Sequence, residues 1–196
     1  MEGPMRQEDG YLKVGAMELF RRRIPWLLVL MISATFTGRI IAAFENALAV
    51  QSALIVFIPM LMDTGGNSGS QASTAVIRSL SIGDTEPRDV LMVVWKELRV
   101  SILCGIALAV VNFGKMFLVD RWMLGNDGVT VMVAVTVCLT ILFVVIFAKI
   151  VGCTLPMLAE KIGIDPAVMA SPLITTLTDA VSLLIYFAIA RMLLNM

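Results

Sequence analysis

Long apolar stretches separated by short polar ones set the pattern of this chain, and several are long enough to cross a bilayer. A spanning helix needs about 20 mostly apolar residues. Residues 128–148 form such a run without a single charge; the other stretches are interrupted by isolated charges. Five spans are predicted: 24–44, which contains Arg39; 47–80; 90–118, whose start carries Lys96, Glu97 and Arg99; 128–153; and 166–194. The second is too long for one simple crossing and is expected to break at Gly65-Gly66. The pattern predicts an all-α integral membrane protein with five transmembrane helices, the second of them broken. Ahead of the first span, Leu12, Ala16, Leu19 and Phe20 fall on one face at helical spacing. Residues 11–23 therefore read as an amphipathic helix at the cytoplasmic interface. The chain divides into a cytoplasmic segment, 1–23, and a membrane domain, 24–196.

Composition supports the same solvent. Hydrophobic residues make up 59% of the 196 and charged residues only 15%, against about 45–50% and about 25% in soluble domains. A water-soluble globule of this length could not bury that much apolar surface. Lys+Arg and Asp+Glu both number 15, which leaves no basic footprint for nucleic acid. Histidine is absent, so Ser-His-Asp triads and His-ligated zinc are excluded together. Cys104, Cys138 and Cys153 are widely spaced and lie in apolar stretches, as small buried side chains do. Residues 1–10 are polar and acidic and are not a signal peptide. Basic residues set orientation. Arg21, Arg22 and Arg23 precede the first span; Arg78, Arg88, Lys96 and Arg99 form a second cluster, and Lys149 and Lys161 a third. These put the N-terminus in the cytoplasm and, after five crossings, the C-terminus outside a plasma membrane.

Polar residues inside the spans carry the chemistry. In the fifth, Asp165-Pro166 reads as an N-cap followed by a first-turn proline. Ser171, Thr175, Thr178, Asp179 and Ser182 then form one polar stripe, and Pro172 removes a backbone N–H and kinks the helix. Such a face suits water or an ion. An ionised Asp at mid-span costs about 2.5–3.5 kcal/mol on insertion scales; a divalent cation beside Asp179 reverses that preference. The alternative is an Asp paired with Arg or a neighbouring helix. The second span holds Pro59 and the run Asp63-Thr64-Gly65-Gly66-Asn67-Ser68-Gly69-Ser70-Gln71, after which Asn67, Gln71, Thr74 and Arg78 recur on one face. A helix interrupted there could offer backbone carbonyls to a cation. The spacing of Gly65 and Gly69 equally fits close helix packing. Glu45, near the outer end of the first span, is a candidate pore-mouth carboxylate or an ordinary interfacial charge.

Phe57-Ile58-Pro59, the run Gly65-Gly66-Asn67-Ser68-Gly69-Ser70-Gln71, and Asp165-Pro166-Ala167 with Ser171-Pro172-Leu173 and Thr178-Asp179 resemble the transmembrane domain of the MgtE family of magnesium channels. Arg23-Ile24-Pro25-Trp26-Leu27 resembles that family's entry into the membrane. The resemblance implies a homodimer in the lipid bilayer, five helices per subunit, and a pore on the dimer axis lined by the second and fifth helices. It implies Mg²⁺ as the transported ion and ligand, with Asp179 as the central site and Thr175 and Ser171 beside it. Ser171 stands where some members carry Asn. Gly65, Gly66, Asn67, Gln71, Pro59, Pro172, Thr178 and Ser182 become the expected pore lining. The expected function is passage of largely hydrated Mg²⁺ into the cytoplasm, with no enzymatic step. The alternative is a secondary exchanger that couples a divalent cation to Na⁺ or H⁺, which interrupted helices also suit.

Overall fold

The structure is a computed structural model that describes residues 14–163 and 166–194, the side chains of Arg22, Asn46, Ala47, Val50 and residues 167–171 excepted. Its elements are helical, with no strand among the described residues. In chain order they are α1 (Ala16–Ala43), α2 (Glu45–Val50), a 3-10 turn (Ser52–Phe57), α3 (Ile58–Ser81), a short 3-10 turn (Pro87–Asp89), α4 (Val90–Lys115), a π-helical turn (Met116–Met123), α5 (Val131–Lys161) and α6 (Pro166–Leu194). Among the described residues four stretches are long and apolar enough to cross a membrane: Ala16–Ala43, Pro87–Met123, Val131–Lys161 and Pro172–Leu194. At 24 residues, α3 is about 36 Å long, but its Asp, Asn, Gln, Ser and Thr residues leave it less apolar than the others.

α5 is the central post. It packs on α3, α4 and α6, and Val133, Val137, Ile141 and Val145 lie in the core with Leu54 and Phe57 from the 3-10 turn, Leu61 from the start of α3, and Leu183, Tyr186 and Phe187 from α6. α1 stands at the edge. It packs chiefly on α6, where the Phe44 and Phe187 rings stack with centroids 4.3 Å apart. Phe20, Leu27, Leu28, Met31, Ile32 and Phe36 of α1 are exposed, which suits lipid or another chain rather than water.

The break expected at Gly65-Gly66 is not there: α3 runs unbroken from Ile58 to Ser81. Pro59 lies in its first turn, where a missing N–H is not needed. The glycines lie on the buried side, where small residues let backbones approach. A Cβ on Gly65 would meet Val144 and Ser182, one on Gly69 would meet Ile174 and Ala148, and one on Gly152 of α5 would run into the Gly69 carbonyl. The second span is interrupted earlier, where Gln51 turns to φ −128° and the 3-10 turn follows. The buried Tyr186 hydroxyl donates to the Leu54 carbonyl there at 3.0 Å.

Two further expectations shift. Lys149 is not a loop charge: α5 continues to Lys161, so Lys149 lies within the helix and is buried. The first span does not begin afresh after an interfacial helix, since α1 is continuous from Ala16 through Pro25. Residues 11–13 and the expected cap Asp165 lie outside the described residues.

Candidate functional site

α3 has two chemically different sides. Leu61, Gly65, Gly66, Gly69, Ala72, Ser73 and Val76 are buried. Asp63, Asn67, Gln71, Thr74 and Arg78 are exposed, and their spacing of four, four, three and four places them along one line of the helix. Among the described residues no helix covers this polar line.

At one end of the line α6 comes alongside. Met62, Asp63, Gly66 and Asn67 of α3 and Thr175 and Asp179 of α6 line a cleft of about 280 Å³. Gly66 makes the approach possible, since a Cβ there would stand 3.1 Å from Thr175 Cγ2. Asp63 and Asp179 thus border the same cleft from two helices. The Thr175 hydroxyl donates to the Pro172 carbonyl at 2.9 Å, so toward any other group its oxygen can only accept. The cleft thus gathers two carboxylates, an amide and a hydroxyl oxygen, a set that attracts cations or the hydrogens of their bound water. Among the described residues no group of three or more His, Cys, Asp or Glu is placed to hold a metal ion.

Asn67 also opens the next stretch. It lines, with Ser70, Gln71, Thr74, Ala75 and Arg78, an open groove of about 610 Å³ along the same side of α3. The two hollows share Asn67.

The expected residues divide accordingly. Asp179, Thr175, Asn67 and Gly66 share the cleft, and Gln71 lines the groove. Thr178 and Ser182 are fully buried, and with Gly65 they pack inside the α3–α6 contact rather than on the cleft. The polar stripe of α6 spans about 100° of the helix at 3.6 residues per turn; one edge faces the cleft and the other seals against α3. Pro59 is exposed at the start of α3 and Pro172 is half-buried within an uninterrupted α6. Glu45 is exposed and borders a separate hollow of about 450 Å³ with Gly38, Ile41 and Leu48. The side chain of Ser171 lies outside the described residues. Asp63 was not expected as a site residue. It is four residues before Asn67, so extending the polar face by one helical step finds it.

A family model described as MgtE, divalent cation transporter, matches residues 58–189, from the first turn of α3 into the last turns of α6, and so includes every residue of the cleft. The chain belongs to the MgtE family. That family consists of transporters and not enzymes. Relatives named "Magnesium transporter MgtE" are 37% identical over 185 residues in Thermus thermophilus, 36% over 173 in Bacillus subtilis and 33% over 172 in Enterococcus faecalis. The matches cover 94%, 86% and 87% of this chain but 39%, 36% and 36% of those proteins. The chain therefore spans well under half the length of the relatives it matches.

Proposed function

We propose that this chain forms a magnesium-conducting membrane unit, in which the line from Asp63 and Asp179 to Arg78 is the ion path. The observation that carries this reading is the cleft itself: two carboxylates held together across Gly66 by helices of an otherwise apolar bundle, in a family of divalent cation transporters. Magnesium surrenders its water reluctantly and seldom sits in an all-protein cage. A cleft with two acids, an amide and a hydroxyl, and no third acid grouped with them among the described residues, fits a largely hydrated Mg²⁺ that is held through its waters. Asp179 is the central group, Asp63 its partner, and Asn67 and Thr175 orient the water shell.

The polar side of α3 is uncovered in one chain, and a two-fold partner facing it would close the path and double the carboxylates. That face is what supports a homodimer. With α1, α3, α4, α5 and α6 as five crossings, Arg21, Arg22 and Arg23 keep the N-terminus in the cytoplasm and the C-terminus outside a plasma membrane. Entry of Mg²⁺ is downhill, favoured by ~2.3 kcal/mol per charge per 100 mV. The second reading, an exchanger coupled to Na⁺ or H⁺, draws on the interruption between α2 and α3, of the kind such proteins use.

The test is Mg²⁺ uptake into proteoliposomes under a membrane potential. Asp179→Ala is expected to abolish uptake and leave assembly intact; uptake unchanged by that substitution removes Asp179 from the path. Uptake that needs no Na⁺ or H⁺ gradient supports conduction, and strict dependence on one supports exchange.

A further inference from the structure

One charged side chain deep in the bundle lies off the path and touches it. Lys149 is 4% exposed, and a lysine so placed within a membrane span is costly unless partnered. Its Nζ donates to Gln71 Oε1 at 3.1 Å and stands 3.9 Å from the Glu97 carboxylate of α4. Three helices meet at this ammonium: Glu97 balances its charge from one side, and Gln71 takes its closer hydrogen bond from the other.

The consequence falls on Gln71, which lines the groove one helical step beyond Asn67. A glutamine amide has one accepting end and one donating end. Lys149 takes one of the two lone pairs of that oxygen and sets a fixed ammonium against it, so the amide offers a passing cation a weaker acceptor than a free one would. Passage through a pore requires sites that bind well enough to admit the ion and weakly enough to release it. A strong acceptor directly beyond the Asp63–Asp179 cleft would hold the ion a second time.

We propose that Lys149 is a positioning residue for ion release: by engaging Gln71 Oε1 it weakens the one amide acceptor between Asn67 and Arg78. This rests on the conduction path proposed above. The ion leaves the carboxylates into a groove that hydrates it and holds it only weakly. Glu97 holds the lysine in place and neutralises it, so that its charge does not repel the ion.

The test is Mg²⁺ flux against Mg²⁺ concentration in proteoliposomes holding the full chain. Lys149→Met frees the Gln71 oxygen; it is expected to lower maximal flux about tenfold and the half-saturating concentration with it, a shift equivalent to ~1.4 kcal/mol of tighter retention. Gln71→Leu placed in Lys149→Met should return flux and half-saturation to those of Gln71→Leu alone, a non-additivity that marks direct coupling. A double variant as slow as Lys149→Met overturns the proposal, because lysine then acts through general stability. Glu97→Gln combined with Lys149→Met removes the buried pair together and repeats the cycle without an orphaned carboxylate. If no lysine-free chain assembles, Gln71→Glu decides: it keeps Lys149 partnered and adds an accepting oxygen to the groove, so half-saturation should fall, and an unchanged curve overturns the idea. A parent chain whose flux ignores Asp179→Ala overturns the conduction path, and this proposal with it; Asp179-dependent flux that Gln71→Leu fails to rescue overturns this proposal alone.

Discussion

Two glycines hold the bundle closed where α3 crosses α5, and their neighbours differ in how far they can yield. A Cβ on Gly152 would collide with the backbone carbonyl of Gly69, whereas the space around Gly114 is open. No rotamer change relieves a clash with backbone, so Gly152→Ala should destabilise by ~1–3 kcal/mol, as overpacking does. Gly114→Ala should be neutral or stabilising by up to ~1 kcal/mol, since alanine favours helix. Thermal melting of the detergent-solubilised protein compares the two, and equal melting points would remove the close crossing. The spacing of Gly65 and Gly69 made tight packing legible in the sequence. Gly152 was not legible, because its partner is a backbone atom 83 positions away. Asp63 shows the same limit in reverse: its helical step to Asn67 is visible in the sequence, but its place beside Asp179 depends on how α6 docks at Gly66. Asp63→Asn should reduce Mg²⁺ uptake about tenfold or more, a loss of ~1.4 kcal/mol of cation attraction. Uptake equal to the parent would leave Asp179 as the sole acid of the path.

At the scale of elements, the apolar runs foretold a helical chain, and the edges moved where chain-local signals misled. Residues 52–57, Ser-Ala-Leu-Ile-Val-Phe, are apolar and carry no glycine or proline, yet they form the 3-10 turn that interrupts the second span. The glycine-rich run that reads as a breaker stays helical because its missing side chains are what the neighbouring helices pack against. Tertiary contact overrides local propensity in both places. The interruption is held by Tyr186, whose hydroxyl serves the Leu54 carbonyl in a buried setting. Tyr186→Phe leaves that carbonyl unsatisfied and should cost ~1–3 kcal/mol, seen as a lower melting point. The ring itself fills the same volume, so helix content by circular dichroism should not change. A phenylalanine variant that melts with the parent would mean that the turn is held by packing alone.

For the whole molecule, the deciding question is what the polar side of α3 faces. Asp63, Asn67, Gln71, Thr74 and Arg78 are exposed in the single chain, while Leu61, Ala72 and Val76 are buried. Lipid would leave the hydrogen-bonding groups of the first set unsatisfied at several kcal/mol each, so water and a second copy of the chain are the partners consistent with them. Cysteine chemistry separates these surroundings, because a thiol reacts as the thiolate and hydrocarbon suppresses that form. The native Cys138 and Cys153 are buried and Cys104 half-buried, so all three can be replaced by small residues before single cysteines are placed along α3. Cysteine at positions 63, 67, 71, 74 and 78 should react with a charged, membrane-impermeant thiol reagent, and cysteine at 61, 72 and 76 should not. Mg²⁺ should protect 63 and 67, which share the cleft with Asp179, more than 78, which lies at the far end of the groove. An oxidant should join two copies through position 67 if the two α3 helices face one another. Labelling with this periodicity but no Mg²⁺ protection would keep the water-filled path and remove the ion site. Uniformly unreactive positions would put the polar face against protein throughout, and the path would then have to run elsewhere.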